Sequence, residues 1–300
     1  SLPKMQTVLD LLPPLNGSHK KGDCGRLAVF GGSEDYPGAP FYAATAMLRL
    51  GADLAHVFTE PGASAAIKNY SPELLVGKSP AFPHWLRALD GVLIGPGAGR
   101  DGASVDLVAA AIRVATTDDN AGRRPVVIDA DGLWSFTQRW MEGDSFGGYT
   151  GTVILTPNAN ELDRLANKVL NESTKDKSFV QISEIASSLA NALQCHVLAK
   201  GGMDVFATPN REVRFFDFAG SPRRPGGIGD CLAGVLTAFT VWAEKSSTPI
   251  DKAAEAASYV IREASRRAYD EVGRGMNASD VIAKISPLIR EIETRGTSHM

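Results

Sequence analysis

The sequence has no long hydrophobic run and no concentration of basic residues. No apolar segment reaches the roughly 18 residues needed to span a bilayer. Lys and Arg (31) are outnumbered by Asp and Glu (34), which gives a formal net charge of -3 and a pI near 6.0. The Arg pairs at 123–124, 223–224 and 266–267 stand alone, as is typical of a solvated surface. We therefore expect neither a membrane nor a nucleic acid as a partner.

The sequence also has few metal-binding or disulfide-forming residues. Its three cysteines, Cys24, Cys195 and Cys231, share no C-x-x-C spacing, and its five histidines include no H-E-x-x-H pair. An odd number of cysteines argues against a disulfide framework, and the scattered histidines give no support to a His-built metal site. Because reduced thiols are typical of intracellular proteins, we predict a location in the cytoplasm or the mitochondrion.

The chain lacks a complete P-loop. Residues 77–79, Gly-Lys-Ser, match the end of G-x-x-x-x-G-K-[ST], but Pro72 occupies the position of the first glycine, which excludes that loop. Residues 97–102, GAGRDG, satisfy G-x-G-x-x-G after a predicted strand. A dinucleotide-binding half of an NAD-dependent dehydrogenase is therefore an alternative, although Pro96 inside the turn argues against it.

Short apolar runs and helical patterns alternate along the chain. Such runs are typical of buried parallel strands, which need a crossover helix between them. The pattern predicts six strands followed by a hairpin over DVFATP and EVRFFDF; the strands are 26–32, 53–60, 90–97, 124–132, 151–158 and 196–202. Three helices follow, near 231–244, 251–269 and 278–293. We therefore predict an α/β fold, a three-layer sandwich with a mainly parallel sheet and helices on both faces.

The absence of a linker or internal repeat predicts a single domain over residues 1–295. Residues 296–300, GTSHM, we expect to be a vector-derived tail. Polar or glycine-rich groups follow most of the predicted strands, at 31–32, 95–97, 129–131, 157–158 and 200–202. Because ligands bind outside the carboxyl ends of parallel strands, we expect these groups to line one cleft.

Three acidic side chains in or near these groups have two interpretations each. Asp129 and Asp131 could bind Mg²⁺, which prefers a few carboxylates together with phosphate oxygens, or they could form and cap a turn at Gly132. Asn158 and Glu161 have the spacing of a helix N-cap and its N3 residue. A capping box is therefore the alternative to a metal-binding role for Glu161.

The most specific segment is RRPGGIGD at 223–230, directly before a predicted helix. Its three closely spaced glycines turn main-chain N–H groups into one volume, and the helix N-terminus adds positive charge, so the segment is suited to an anion. Asp230 would weaken an anion site unless it removes a proton from a hydroxyl beside the phosphate. We therefore predict phosphoryl transfer to an alcohol with Asp230 as the base; a simple helix cap is the alternative. The predicted anion hole comprises Gly226, Gly227, Ile228 and Gly229.

Taken in chain order, these segments resemble the ribokinase-like superfamily and, within it, the ATP-dependent NAD(P)H-hydrate dehydratase family. The matching segments are 21–54, 91–100, 125–134, 155–162, 198–204 and 223–234. Ile228 departs from the family pattern, where a small or polar residue is common. Only its main-chain N–H is needed for the anion site, so we expect little effect.

The resemblance implies a reaction. ATP would phosphorylate the C6 hydroxyl of the S epimer of hydrated NADH or NADPH, and loss of phosphate would give NAD(P)H and ADP, with Mg²⁺ as cofactor. Bacterial members can use ADP in place of ATP. A vitamin-precursor kinase of the same superfamily, acting on a hydroxymethylpyrimidine or hydroxyethylthiazole alcohol, is the alternative. A nucleotide sensor without catalytic activity is another.

The resemblance also implies roles by position. Asp230 would be the catalytic base in contact with the hydrated nucleotide, and Glu161 would be the metal-linked carboxylate. Asp129 is a metal candidate because of its position at the end of a strand. ATP would contact Lys200, Gly201, Gly202, Met203, Asp204, Gly220, Ser221, Pro222, Arg223, Arg224, Pro225 and the anion hole. The hydrated nucleotide would contact Gly97, Gly99, Asn158, Ala159, Asn160, Glu161, Leu162, Asp163 and Arg164. The helices after residue 231 could line the purine pocket or form a subunit contact in a homo-oligomer.

Overall fold

The predicted strands form one sheet in the computed structural model, which describes residues 2–117 and 123–297 and contains nine strands in those ranges. The strands are β1 Arg26–Phe30, β2 Leu54–Thr59, β3 Leu75–Lys78, β4 Gly91–Ile94, β5 Val126–Ile128, β6 Val153–Leu155, β7 His196–Ala199, β8 Asp204–Ala207 and β9 Val213–Phe216. Their order is β3-β2-β1-β4-β5-β6-β7-β8-β9. Neighbours from β3 to β7 pair in parallel, whereas β8 and β9 add an antiparallel hairpin.

Helices connect the parallel strands, as predicted. They are α1 Leu2–Leu11, α2 Gly38–Leu50, α3 Pro61–Tyr70, α4 Phe82–Trp85, α5 Gly102–Ala115, α6 Asp131–Arg139, α7 Ala159–Leu170, α8 Phe179–Leu193, α9 Ile228–Ser246, α10 Ile250–Val272 and α11 Ala278–Thr297. The helical pattern did not predict α1, and no apolar run predicted β3. Strand β3 lies at the sheet edge with no fully buried residue, so it carries little periodic signal.

The side chains of each strand alternate between two cores, one on each face of the sheet. In β1, Leu27 and Val29 pack with α2, α9, α10 and α11, whereas Ala28 and Phe30 face the side covered by α5 to α8. This arrangement confirms the predicted three-layer sandwich. The predicted domain boundary stays a prediction: α11 extends to Thr297, and residues 298–300 lie outside the described residues. None of the helices in the described ranges is both long and apolar enough to cross a membrane.

Helix α9 occupies the centre of one helical layer. Residues 231–243 are all buried, which matches a sequence that is apolar on every side. Its approach to α2 is close because Gly234 has no side chain: an added Cβ would lie 2.3 Å from the carbonyl oxygen of Ala43. The helix begins at Ile228, earlier than predicted, so Asp230 lies in its first turn. The packing of α9 therefore holds the start of this helix in place.

Candidate active site

The carboxyl ends of β4 to β7 are adjacent, so the loops that follow them meet at one edge of the sheet. The chain reverses its direction across the sheet between β1 and β4, and such a switch point is where ligands bind in open α/β folds. The N–H of Gly32 donates to the carbonyl of Pro96 at 2.9 Å and joins the loops after those two strands. Four groups therefore lie at this end of the sheet: residues 95–99 after β4, Asp129 after β5, Asn158 after β6 and Lys200 after β7.

Lys200 and Asp129 form an ion pair at this edge, with 2.6 Å between Nζ and Oδ1. The Asp129 carboxylate is 2% exposed and also accepts a hydrogen bond from Thr156 Oγ1 at 2.8 Å. Burial by itself lowers the pKa of Lys200, but Asp129, Glu161 and other nearby carboxylates raise it above its ordinary value. Lys200 therefore keeps its positive charge. An added Cβ at Gly229 would lie 3.6 Å from its Nζ, so this charge is next to the glycine-rich loop.

Asp230 lies half-buried in the first turn of α9. Burial is the largest cause that raises its pKa to about 8; Asp129 and Asp131 also raise the pKa, and Lys200 opposes them. A carboxyl with a pKa near the operating pH is suited to act as a general base, and such shifts are concentrated at functional sites. The N-cap of α9 is Gly227, and the Asp230 side chain makes no hydrogen bond with any residue in the described ranges. The helix-cap alternative for Asp230 is therefore wrong.

Gly227 turns the chain into α9 with a φ of +92°, a conformation that side chains rarely adopt. A Cβ at this position would lie 2.7 Å from Tyr42 Cδ2 and 2.9 Å from the Cβ of Ala278. Only glycine fits here. The turn leaves the first N–H groups of α9 without helical partners, which is the usual arrangement of an anion site.

A cavity of about 530 Å³ lies beside this loop, between the turn after β7 and helices α9 and α10. It is lined by many of the residues for which the resemblance implies ATP contact: Lys200, Gly201, Gly202, Asp204, Gly220, Ser221, Arg223, Arg224, Pro225, Ile228 and Gly229, together with Asn158. Four of the implied residues do not line it: Met203, Pro222, Gly226 and Gly227.

Other residues of the cavity were not identified from the sequence. They are Asp217, Phe218, Ala219, Leu232, Ser258, Ile261, Arg262 and Ser265. Helices α9 and α10 therefore contribute to the cavity wall. A signal for part of this set was present: Ser258, Arg262 and Ser265 follow one another at helical spacing on one side of α10.

Asp204 is buried, and its carboxylate is occupied by protein groups. Its Oδ1 accepts hydrogen bonds from Gly201 N at 3.0 Å and Arg262 Nη2 at 2.6 Å, and its Oδ2 accepts from Ser258 Oγ at 2.7 Å. Arg262 also donates to the carbonyls of Gly201 and Gly202. Asp204 therefore stabilises the conformation of the turn after β7.

Ser265 differs from its neighbours in the cavity wall. The residue is 4% exposed, and its Oγ has no hydrogen-bond partner among the described residues. A buried hydroxyl without a partner is unfavourable, so a bound ligand can gain by satisfying it. The apolar Phe218, Leu232 and Ile261 form part of the same wall.

The main-chain N–H groups after β4 are not arranged to bind a diphosphate at the N-terminus of α5, as a Rossmann fold does. Gly99 N donates to Asp131 Oδ2 at 3.1 Å and is therefore occupied. The N-terminus of α5 is capped by Asp101, whose Oδ1 accepts from the N–H groups of Ala103 and Ser104 at 3.1 Å each. A carboxylate thus occupies the position that a diphosphate needs in a Rossmann fold. This geometry argues against the dehydrogenase alternative.

The capping-box interpretation of Asn158 and Glu161 is confirmed. Asn158 Oδ1 accepts from Glu161 N at 3.0 Å, and Glu161 Oε2 accepts from Asn158 N at 2.9 Å. Glu161 is 6% exposed, and burial raises the pKa of its carboxyl. The positive charge of Lys200 lowers that pKa, whereas the negative charge of Asp129 raises it. The cap uses only one oxygen of the carboxylate, so capping does not prevent Glu161 from reaching a ligand.

The remaining positions of the segment 158–164 differ in orientation. Ala159 and Asn160 are exposed. Leu162 packs in the core, and Asp163 Oδ1 accepts hydrogen bonds from Ser173 Oγ and Thr174 N. Arg164 lies over the ring of Trp134. Gly97, with a φ of +63°, packs against Tyr36: an added Cβ would lie 2.5 Å from its carbonyl oxygen.

Solved structures share this architecture. The ADP/ATP-dependent NAD(P)H-hydrate dehydratase of Bacillus subtilis, co-crystallised with ATP and Mg²⁺, matches with a TM-score of 0.76 at 22% identity, over 96% of this chain and 97% of its own. A ribokinase-like superfamily protein of Enterococcus faecalis V583 matches with a TM-score of 0.75 at 17% identity, over 96% and 94%. At these identities the comparison shows the fold alone, and it confirms the ribokinase-like architecture.

Sequence comparisons are more specific. A family model described as NAD(P)H-hydrate dehydratase matches residues 27–287. The ATP-dependent (S)-NAD(P)H-hydrate dehydratase of Caenorhabditis briggsae is 38% identical over 302 residues, which covers 97% of this chain and 96% of the relative. The enzyme of the same name from Homo sapiens is 37% identical over 296 residues, covering 94% and 82%. The chain therefore belongs to the NAD(P)H-hydrate dehydratase family.

Proposed function

We propose that this protein is an ATP-dependent (S)-NAD(P)H-hydrate dehydratase, which uses ATP to restore NADH or NADPH from the hydrated forms. The observation that carries this proposal is the position of Asp230. It directly follows Gly229, which lines the cavity, and it lies within electrostatic reach of Asp131, which holds the loop after β4. A base at this place can act on a hydroxyl from one side while a nucleotide phosphate lies on the other.

The chemistry has two steps. First, Asp230 accepts the proton of the C6 hydroxyl while the hydroxyl oxygen attacks the γ-phosphorus of ATP. A new P–O bond forms to this oxygen, and the bond between the γ-phosphorus and the leaving ADP breaks. Lys200 and the free N–H groups at the start of α9 stabilise the developing negative charge. Second, the lone pair of the ring nitrogen expels phosphate from C6, and loss of a proton from C5 restores the dihydropyridine. ATP is thus consumed to turn a poor leaving group into a good one.

The residues present are compatible with Mg²⁺. Among residues 2–117 and 123–297, no group of three or more His, Cys, Asp or Glu side chains could hold a metal ion on its own, so a cation would also need phosphate oxygens. Glu161 and Asp129 are the nearby carboxylates, and the ion pair of Asp129 with Lys200 favours Glu161. When bound, Mg²⁺ supplies positive charge that neutralises phosphate oxygens.

The cavity is suited to a nucleotide as the phosphoryl donor. It combines apolar side chains with the Lys200 charge and the exposed Arg224, whose guanidinium makes no hydrogen bond or ion pair within the described part of the chain. Because α9 and α10 line it, the purine-pocket interpretation of these helices is better supported than a subunit contact. ADP as an alternative donor and a cytoplasmic or mitochondrial location stay predictions.

One assay separates the candidate functions. Hydrated NADH is incubated with and without ATP while the absorbance of the reduced ring and the release of free phosphate are followed. The dehydratase restores absorbance only with ATP and releases one phosphate per turnover. A vitamin-precursor kinase would keep the phosphate on its product, a sensor would bind ATP without turnover, and a dehydrogenase would act without ATP.

Variants of Asp230 test its role. Asp230→Ala and Asp230→Asn should lower turnover about a hundredfold or more, as expected for a positioned base, while ATP binding is largely kept. Because the base must be ionised, kcat/KM of the wild type should fall as the pH is lowered below about 8. The control is Asp270→Asn, which changes an exposed carboxylate paired with Arg266 on α10. Near wild-type turnover in both Asp230 variants would contradict the assignment.

A further inference from the structure

Two arginines lie over one tryptophan ring at the same edge of the sheet. The Cζ of Arg100 is 5.1 Å from the ring centroid of Trp134, and the Cζ of Arg164 is 5.0 Å from it. Trp134 and Arg164 are half-buried, whereas Arg100 is exposed. Cation–π contacts fix the orientation of a guanidinium without neutralising its charge. We refer to these three residues as the arginine–tryptophan cluster.

The positive charge of the cluster is only partly balanced. Arg100 Nε donates to Asp131 Oδ1 at 2.6 Å, whereas its terminal nitrogens make no hydrogen bond in the described ranges. Arg164 makes neither a hydrogen bond nor an ion pair with any described residue. Two guanidinium groups that share one ring repel each other, and their free N–H donors are suited to an anion with several oxygens.

The cluster is adjacent to the proposed active site but separate from the cavity. Arg100 follows β4, Trp134 lies on α6 after β5, and Arg164 lies on α7 after β6, so all three come from the carboxyl ends of neighbouring strands. None of them lines the 530 Å³ cavity. Asp131 connects the cluster to the site, because it bonds Arg100 and also raises the pKa of Asp230.

Building on the proposed function, we propose that the arginine–tryptophan cluster binds a phosphate group of the hydrated dinucleotide and so places its ring beside Asp230. The hydrated ring itself is neutral, so charge recognition of this substrate has to use its phosphates. Hydrated NADH and hydrated NADPH share the bridging diphosphate, and hydrated NADPH adds a 2′-phosphate. Planar guanidinium groups bind such oxygens in pairs, which a single ammonium group does not.

The test uses Arg100→Gln, Arg164→Gln and the double variant in steady-state assays with each hydrate. The KM for the hydrated dinucleotide should rise about tenfold or more for each substitution, the effect of losing a charged hydrogen bond. The kcat and the KM for ATP should stay within about twofold, because the contact is equally present in ground state and transition state. A rise with both hydrates identifies the diphosphate as the bound group; a rise with hydrated NADPH alone identifies the 2′-phosphate.

Two controls complete the experiment. Arg139→Gln removes an exposed arginine of α6 that pairs with Asp106 outside the cluster, and it should leave both KM values unchanged. Arg164→Lys keeps the charge but not the planar fork, and it should recover only part of the lost affinity. An unchanged KM for both hydrates in a folded, active double variant would overturn this inference and leave the proposed function intact. A wild-type protein without ATP-dependent turnover would refute the proposed function, and this inference with it.

Discussion

Replacing Asp230 by asparagine tests whether the proposed catalytic carboxyl is costly for the folded protein. Burial and neighbouring carboxylates raise the pKa of this group from 3.8 to about 8. The folded state therefore holds the proton more tightly than the unfolded chain does. The stability that this proton contributes is fully present below the pKa of Asp230 in the unfolded chain, and it is lost as the pH rises through the folded-state pKa of about 8. Because asparagine has no such proton, Asp230→Asn should gain stability relative to the wild type as the pH rises.

The magnitude follows from the same shift. One pKa unit corresponds to about 1.36 kcal/mol. Between about pH 5 and about pH 8 the linkage therefore reaches at most about 4 kcal/mol. Asp230 is only half-buried, so water screens part of this interaction. We expect the free energy of unfolding of Asp230→Asn relative to wild type to increase by about 1–2 kcal/mol between these pH values.

Urea unfolding followed by tryptophan fluorescence measures this difference. The control is Asp163→Asn, because hydrogen bonds from Ser173 and Thr174 lower the pKa of Asp163. The pH dependence of this control has the opposite sign. The ionised Asp163 carboxylate stabilises the wild type at pH values above its ordinary pKa, so the stability advantage of the wild type over Asp163→Asn should shrink as the pH falls through the lowered pKa. A stability difference for Asp230→Asn that is independent of pH, or that favours the wild type at high pH, would refute the reasoning.

Three further substitutions test the cavity and its supporting loop. Ser265→Ala should raise the KM for ATP about threefold to tenfold at unchanged kcat. The control is Ser135→Ala, which changes a buried serine outside the cavity that also has no hydrogen-bond partner among the described residues, and it should leave the KM unchanged. Equal effects of the two substitutions would contradict a ligand contact. Arg262→Lys should raise the KM for ATP about tenfold in rate assays, because a lysine cannot bind both carboxylate oxygens of Asp204. An unchanged KM would show that the turn after β7 keeps its shape without the Arg262 guanidinium. Gly227→Ala should lower the free energy of unfolding by more than about 1 kcal/mol in urea titrations, since φ is +92° and a Cβ would clash; an unchanged midpoint would contradict the strained turn.

The order of elements, the parallel sheet and the glycine-rich loop could be predicted from the sequence because they depend on local patterns. A buried strand needs only a short apolar run, and a helix needs its 3.6-residue period, so β1 and α9 are visible in isolation. The spacing of Asn158 and Glu161 similarly indicated a capping box as one of two interpretations, and the structure contains that box. Strand β3 was missed because an edge strand with half-exposed side chains lacks that pattern.

Contacts between distant segments were decided only by the tertiary structure. Lys200 meets Asp129 across 71 positions of sequence, and Arg262 meets Asp204 across 58. These pairs depend on which strands are neighbours and on the side of α10 that faces the sheet, and no local period encodes either. The pKa of Asp230 has the same origin, because it is set by the burial of this residue and by carboxylates that follow β5 and β6. The sequence alone thus determined which groups lie at strand ends, whereas packing determined which of them pair with one another and which stay free for a ligand.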